Sequence, residues 1–183
     1  MLSFTIKNRK DDFMAKLVAF YSRADENYFR GAMRYIKVGN TEKIAGMIAD
    51  ATGADLFKIE QKVPYAADYN TCIEQAKKDL QENVRPELVN NLESIDNYDE
   101  IYIGFPNYWG TIPMAVFTFL EQFDWAGKKI YPFVTHEGSG FGKCESDLKR
   151  ICKDSSIQPG FSIQGSMVED AKAEVDIWIK GNR

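Results

Sequence analysis

Residues 100–113 read Glu-Ile-Tyr-Ile-Gly-Phe-Pro-Asn-Tyr-Trp-Gly-Thr-Ile-Pro. The segment 100–105 is an apolar run headed by one acid, with no polar parity, and Pro106 stops it. Such a run suits a strand covered on both faces, the condition of a parallel sheet held between two layers of helix. The loop that follows sets two large aromatics, Tyr108 and Trp109, between Pro106 and Pro113, with polar Asn107 and Thr111 beside them. Rigid aromatic faces can stack on a planar ring while Asn107 and backbone amides read its polar edge. The competing reading is that both rings plug the loop against the body.

Outward from this stretch the same kind of run recurs. Lys-Leu-Val-Ala-Phe-Tyr fills 16–21, and Lys-Ile-Tyr-Pro-Phe-Val-Thr fills 129–135, where Pro132 removes one ladder donor. Shorter strands are expected at Leu56, Phe57 and Ile59, closed by Pro64, and around Ile157, Phe161 and Ile163. Between them lie helical spacings. Thr41 offers a capping hydroxyl ahead of Ile44 and Ile48, and Gly53 ends that helix. A polar segment over 69–95, with Cys72, Ala76 and Leu80 on one face, is broken by Pro86. Further helices are expected over 114–123, through Cys144, Leu148, Ile151 and Cys152, and through Val175, Trp178 and Ile179, the last capped by Asp170 and stopped at Gly181. Five strands alternating with five helices predict an α/β fold, a doubly wound three-layer sandwich on a five-stranded parallel sheet. The stretch 24–38 is polar and aromatic without a clean period. Residues 1–15 show little beyond Phe4, Ile6 and Phe13, so an N-terminal extension is expected there and one domain over 16–183.

Composition bounds the function. The chain has 183 residues, 44% hydrophobic and 27% charged, enough apolar material for one cored domain. Its 27 acidic against 23 basic side chains repel polyanions, so neither nucleic acid nor an anionic membrane is an expected partner. The short basic cluster Lys7, Arg9 and Lys10 runs straight into Asp11 and Asp12 and reads as a solvated terminus. Three cysteines, Cys72, Cys144 and Cys152, fit no pairwise metal spacing and point to a reducing compartment. With no secretory apolar core at the start and no apolar run of roughly 18–20 residues, the cytoplasm is the expected location.

In a doubly wound sheet, ligands sit outside the carboxyl ends of the strands, where strand order reverses. After strand one come Ser22 and Arg23, then Gly39-Asn40-Thr41 at a helix mouth. Orphan helix-start N–H groups and two hydroxyls suit a phosphate monoester, with Gly39 letting the backbone approach; simple capping by Thr41 is the plainer alternative. After strand four come Thr135-His136-Glu137-Gly138-Ser139-Gly140-Phe141-Gly142, a polar, glycine-rich wrap. His136 is the only histidine, which excludes a multi-histidine metal site. A general acid, a proton donor to a reduced ring, and a loop hydrogen bond remain open for it. Ser22 lacks a glycine-flanked nucleophile elbow, and no Gly-x-Gly-x-x-Gly follows strand one.

Taken in this order, Gly39-Asn40-Thr41, the Pro-Asn-Tyr-Trp-Gly-Thr-Ile-Pro loop and the Gly-Ser-Gly-Phe-Gly loop resemble the flavodoxin family over 16–183. The resemblance implies strand order 2-1-3-4-5 and bound FMN. It assigns Ser22, Asn40 and Thr41, with neighbours Arg23 and Gly39, to the phosphate loop. Pro106, Asn107, Tyr108, Trp109 and Gly110 would hold one side of the ring, and Thr135, His136, Glu137, Gly138, Ser139 and Gly142 its other edge. Two departures stand out: an insertion over 24–38 opens the phosphate loop, and strand five lacks the long insertion of some members. The implied activity is electron transfer to a redox partner protein, with NAD(P)H-dependent reduction of a quinone or other small acceptor as the alternative. Oligomeric state is left open. The acidic envelope leads to the expectation of a lowered flavin reduction potential.

Overall fold

A computed structural model describes residues 15–182. The readings made on Phe4, Ile6, Phe13 and the cluster at 7–12 lie outside the described residues. Five parallel strand positions form the main sheet: β1 (Ala15–Phe20), β4 (Asp55–Lys58), β5 (Tyr98–Pro106), β6 (Lys129–His136) and a last strand in two pieces, β7 (Ser156–Ile157) and β8 (Phe161–Gln164). Their order is β4-β1-β5-β6-β7, with β8 also on β6, which is 2-1-3-4-5 in strand positions. Helices α1 (Asn40–Thr52), α2 (Tyr69–Gln81), α3 (Met114–Leu120), α4 (Cys144–Ile151) and α5 (Lys172–Gly181) flank it. The expected doubly wound sandwich is the fold observed.

The continuous apolar runs are explained by two-sided burial. In β1, Leu17 and Ala19 join a core with β5 residues Ile101, Ile103 and Phe105 and with α3 and α4, while Val18 and Phe20 join another with Ile44 and Ile48 of α1 and Val175 and Ile179 of α5. Period-2 alternation therefore sorts the side chains, but both parities are apolar because both faces are covered. The break in the last strand falls beside Pro132. Ile130 accepts from Gln158 N at 2.8 Å, so residues of that parity in β6 face the last strand. Pro132 shares the parity and has no N–H to offer, and pairing resumes only at Phe133 with Phe161.

The stretch 24–38 folds as an antiparallel hairpin, β2 (Asp25–Phe29) and β3 (Ala32–Ile36). Its two-residue turn, Arg30 at φ 44 and Gly31 at φ 94, has the left-handed backbone such hairpins demand. No period was legible there because Phe29 alone of the paired residues is buried. Other boundaries shift for local reasons. Of the polar segment over 69–95, expected to be helical in stretches and broken by Pro86, Tyr69–Gln81 is helix, followed by Asn83 at φ 53, and α3 stops at Leu120. Asp170 closes a 3-10 turn (Gly165–Asp170) and does not cap α5, whose N-cap residue is Ala171.

Candidate functional site

A cleft of about 270 Å³ opens at the carboxyl ends of β1, β5 and β6, the edge where the chain reverses its order through the sheet. Ser22, Arg23, Asn40, Thr41, Pro106, Asn107, Tyr108, Trp109, Thr135, His136 and Glu137 all line it. All three loops singled out in the sequence thus reach one cavity. Gly39, Gly110, Gly138, Ser139 and Gly142 shape the surrounding loops without lining it.

At one end stands the start of α1. Its N-cap, Gly39, has no side-chain cap; Ser22 Oγ instead accepts from Glu42 N at 3.0 Å. The N–H groups of Asn40 and Thr41 open the helix and have no intrahelical acceptor, so the dipole's positive end faces this part of the edge. Thr41 does not cap, contrary to the simpler sequence reading. Its hydroxyl is buried against Thr135 Oγ1 at 2.8 Å, joining the first loop to the end of β6. Gly39 also has a different reason than ligand approach. A Cβ there would lie 2.2 Å from Ser22 Oγ and 2.5 Å from the Arg23 carbonyl oxygen, so the glycine lets the helix mouth close on the strand-one loop. Gly165 does the same on the far side, where a Cβ would meet Asn40 Nδ2 at 2.3 Å and Glu137 Oε1 at 2.8 Å.

The other end is aromatic. Tyr108 and Thr111 exchange backbone hydrogen bonds of 3.0 Å around Trp109 (φ 53) and Gly110 (φ 80), a tight two-residue turn. A tryptophan in left-handed backbone stores strain, and here its indole is held from outside. Trp109 Nε1 donates to the Ile73 carbonyl at 2.9 Å and Lys77 stands 5.0 Å over the ring. The two aromatics therefore divide their tasks. Tyr108 turns inward, edge-on to Tyr21 at 6.1 Å, and burial pushes its phenol well up; Trp109 stays 47% exposed along α2. Asn107 is less free than its position suggested. Its Oδ1 accepts from Gly110 N at 2.9 Å and its Nδ2 donates to Gly140 O at 2.8 Å, so it staples the aromatic loop to the glycine-rich one. Gly142 permits the same contact, since a Cβ there would lie 2.5 Å from Gly110 O.

His136 Nδ1 accepts from Gly138 N at 2.9 Å, which leaves Nε2 to donate to Ser162 Oγ at 3.2 Å. Burial pulls its pKa below 6.5, partly opposed by Glu137. A neutral imidazole with both nitrogens engaged suits the loop-bonding reading and not the general acid. Glu137 Oε1 accepts from Ser166 N at 3.0 Å.

Sequence reasoning missed Asn27 and Tyr28 of the hairpin, Tyr69, Cys72 and Ile73 of α2, and Gly165. Topology held the signal for α2: it follows β4, whose carboxyl end lies on the same edge of a parallel sheet. Tyr28 stacks on Tyr69 at 6.2 Å, extending the aromatic wall. Burial raises the Cys72 thiol pKa, with Arg23 opposing. All three cysteines are free and buried. Among the described residues no helix is long and apolar enough to cross a membrane.

A family model described as Flavodoxin matches residues 32–182. Among solved structures, a candidate flavoprotein of Bacteroides uniformis superposes with a TM-score of 0.73 at 28% identity, covering 91% of this chain and 97% of that one. A flavoprotein of Lactobacillus acidophilus in complex with FMN gives 0.62 at 22% identity, covering 86% and 97%, a likeness of fold. An uncharacterized protein of Methanocaldococcus jannaschii is 29% identical over 126 residues, 69% of this chain. The match spans 63% of that relative's own length.

Proposed function

The chain belongs to the flavodoxin family, and from that premise we propose that it holds one FMN non-covalently in the cleft and serves as an electron-transfer carrier to a redox partner protein. One observation carries this reading: the three loops that follow β1, β5 and β6 converge on a single cleft with donors at one end and aromatic walls at the other. The residues present fit the group. The N–H groups of Asn40 and Thr41 at the start of α1 suit its phosphate, with Ser22 and Thr135 beside them. Tyr108, Trp109, Tyr28 and Tyr69 suit a planar ring. Bound FMN supplies one- and two-electron chemistry, and the protein's part is to position the ring and set its electrostatics. Likeness to the candidate flavoprotein of Bacteroides uniformis supports a flavin as the ligand.

Titration of the apoprotein with FMN, FAD and riboflavin tests the reading. FMN is expected to bind best and riboflavin much more weakly, since it lacks the phosphate. Equal affinity for riboflavin would overturn the assignment of the α1 end.

One observation favours the second reading, an NAD(P)H-dependent reductase of a quinone or other small acceptor. The hairpin contributes Asn27 and Tyr28 to the cleft wall, a side that could shape a pocket for a small substrate beside the ring. Anaerobic stopped-flow mixing of the FMN-loaded protein with NADH or NADPH decides between them. Bleaching within seconds, followed by fast reoxidation by quinone, makes the protein a reductase. Bleaching only when a separate reductase is added supports the carrier.

A further inference from the structure

Another cavity, of about 430 Å³, shares no residue with the cleft. Its walls come from three places in the chain: residues 61–65 after β4, Gln75 and Asp79 of α2, and Val84, Pro86 and Glu87 beyond that helix. Hydrogen bonds clip the three to one another. Lys62 N donates to Glu87 O and Val89 N to Glu60 O, each at 2.8 Å, and Val84 N donates to Asp79 O at 2.9 Å. The Tyr65 hydroxyl donates to Asp79 Oδ2 at 2.7 Å, and Ala66 N donates to Gln75 Oε1 at 2.8 Å. The fold's own contacts therefore hold the cavity in shape, as in most small-molecule sites.

Its floor carries one acceptor. Gln61 is the only buried residue of the wall, at 7% exposure. Its Nε2 donates to Val63 O at 2.7 Å, while Oε1 has no hydrogen-bond partner among the described residues. Turning the amide over would set that oxygen against the Val63 carbonyl, so the nitrogen stays where it is and the oxygen is the atom left over. A buried amide oxygen without a donor is destabilising, and such atoms are rare in folded proteins. Around this acceptor the wall is apolar, formed by Val63, Pro64, Val84, Pro86 and the Tyr65 ring.

The charges favour a positive donor. Asp79 is answered by the Tyr65 hydroxyl, a dipole and not a charge, and burial together with Asp79 holds that phenol protonated. Lys62, the one cation of the wall, is held by Glu87 at 2.7 Å. The cations next in sequence to the wall are also engaged: Lys78 with Glu82 at 3.9 Å and Arg85 with Glu121 at 2.7 Å. The wall thus sets two acids, Asp79 and Glu87, against one base. We propose that this cavity is a second ligand site, for a small molecule with an apolar ring or branched chain and a protonated amine head. The amine donates to Gln61 Oε1 in the field of Asp79, and the apolar body lies against the prolines and valines. The site is independent of the FMN reading. Helix α2 stands in both walls but gives Tyr69, Cys72 and Ile73 to the cleft and Gln75 and Asp79 to this cavity.

Benzylammonium is the probe, with toluene as the control that lacks the donor and benzoate as the control that reverses the charge. In NMR spectra of the nitrogen-labelled protein at neutral pH, benzylammonium is expected to move the Gln61 side-chain amide and the backbone amides of Lys62, Tyr65 and Glu87, and to leave those of Tyr108 and Trp109 in place. Titration should give a Kd below about 1 mM, about tenfold or more tighter than for toluene or benzoate. Gln61→Met keeps the length of the side chain and removes the acceptor, so it should weaken benzylammonium about tenfold and toluene less than about twofold. Asp79→Asn keeps an oxygen for Tyr65 and removes the charge, and it should weaken benzylammonium alone. Equal affinity for benzylammonium and toluene overturns the proposal, since the cavity would then be an unselective apolar groove. So does an undiminished affinity in Gln61→Met, a set of shifts confined to the cleft, or the absence of shifts at about 10 mM probe. The comparison of benzylammonium with toluene and benzoate in the wild type stands even if Gln61→Met fails to fold.

Discussion

The hydroxyl pair Thr41–Thr135 shows how single side chains hold this edge together. Both residues are buried and meet at 2.8 Å. Thr41→Val or Thr135→Val alone leaves the other hydroxyl buried without its partner, and each is expected to lower stability by about 1–3 kcal/mol. The double variant replaces both hydroxyls with methyl groups of the same shape and should recover most of that loss. Urea unfolding of the four proteins checks this, and additive losses would mean that each hydroxyl has another partner. His136 gives the edge a pH dependence. Its pKa is lowered from 6.5 on folding, first by burial, so the unfolded chain binds more protons as the solution turns acidic. Its contribution to stability is complete above about pH 6.5 and is lost as the pH falls below that value. Unfolding midpoints taken between pH 7 and 5 should fall less steeply for His136→Gln than for wild type.

Among the elements, the β2–β3 hairpin is the least supported by packing. Only Phe29 of its paired residues is buried, and its ties to the body are mostly polar: Arg23 to the carbonyls of Glu26, Ala66 and Ala67, Glu26 N to Ala67 O at 3.2 Å, Glu26 to Tyr69 N and Arg30 to Gln164, beside one ring contact, Tyr28 on Tyr69. Elements with few buried apolar contacts open locally at free energies below the global value. The amides of Ala32–Ile36 are therefore expected to exchange with deuterium well before those of Tyr98–Pro106, and Glu26→Ala should widen the gap without altering exchange in β5. The same contrast explains what was legible in the sequence. Strands buried on both faces, such as 100–105 and 16–21, announce themselves as apolar runs. A surface hairpin has no hydrophobic face to set a period, so 24–38 read as shapeless. The site was legible in its position, because strand ends in a parallel sheet share one edge. Its hydrogen bonds were not. Whether Thr41 caps its helix or meets Thr135, and whether Asn107 reads a ligand or clamps Gly140, depends on contacts between loops that one-dimensional spacing does not encode.

For the molecule as a whole, a ligand that binds only the native state raises stability by mass action. FMN present at a hundredfold excess over its Kd should add about 2.7 kcal/mol. For a chain of this size that is about 5–10 °C in Tm. Differential scanning fluorimetry with FMN and with riboflavin at equal concentration should show the larger shift for FMN. The distances along the chain that the cleft spans carry a further consequence, one of timing. Thr41 reaches Thr135 across 94 residues and Asn107 reaches Gly140 across 33, while Asn40 and Glu137 close around Gly165. Such a cavity has no local precursor in a collapsing chain. It is expected to take shape late, once β1, β5 and β6 already lie side by side. Interactions absent from the transition state slow escape from the native basin and leave the approach to it unchanged. In a chevron plot, saturating FMN should therefore lower the unfolding limb and leave the refolding limb where it was, so that the cofactor acts as a latch fastened on a finished fold and not as a seed for it.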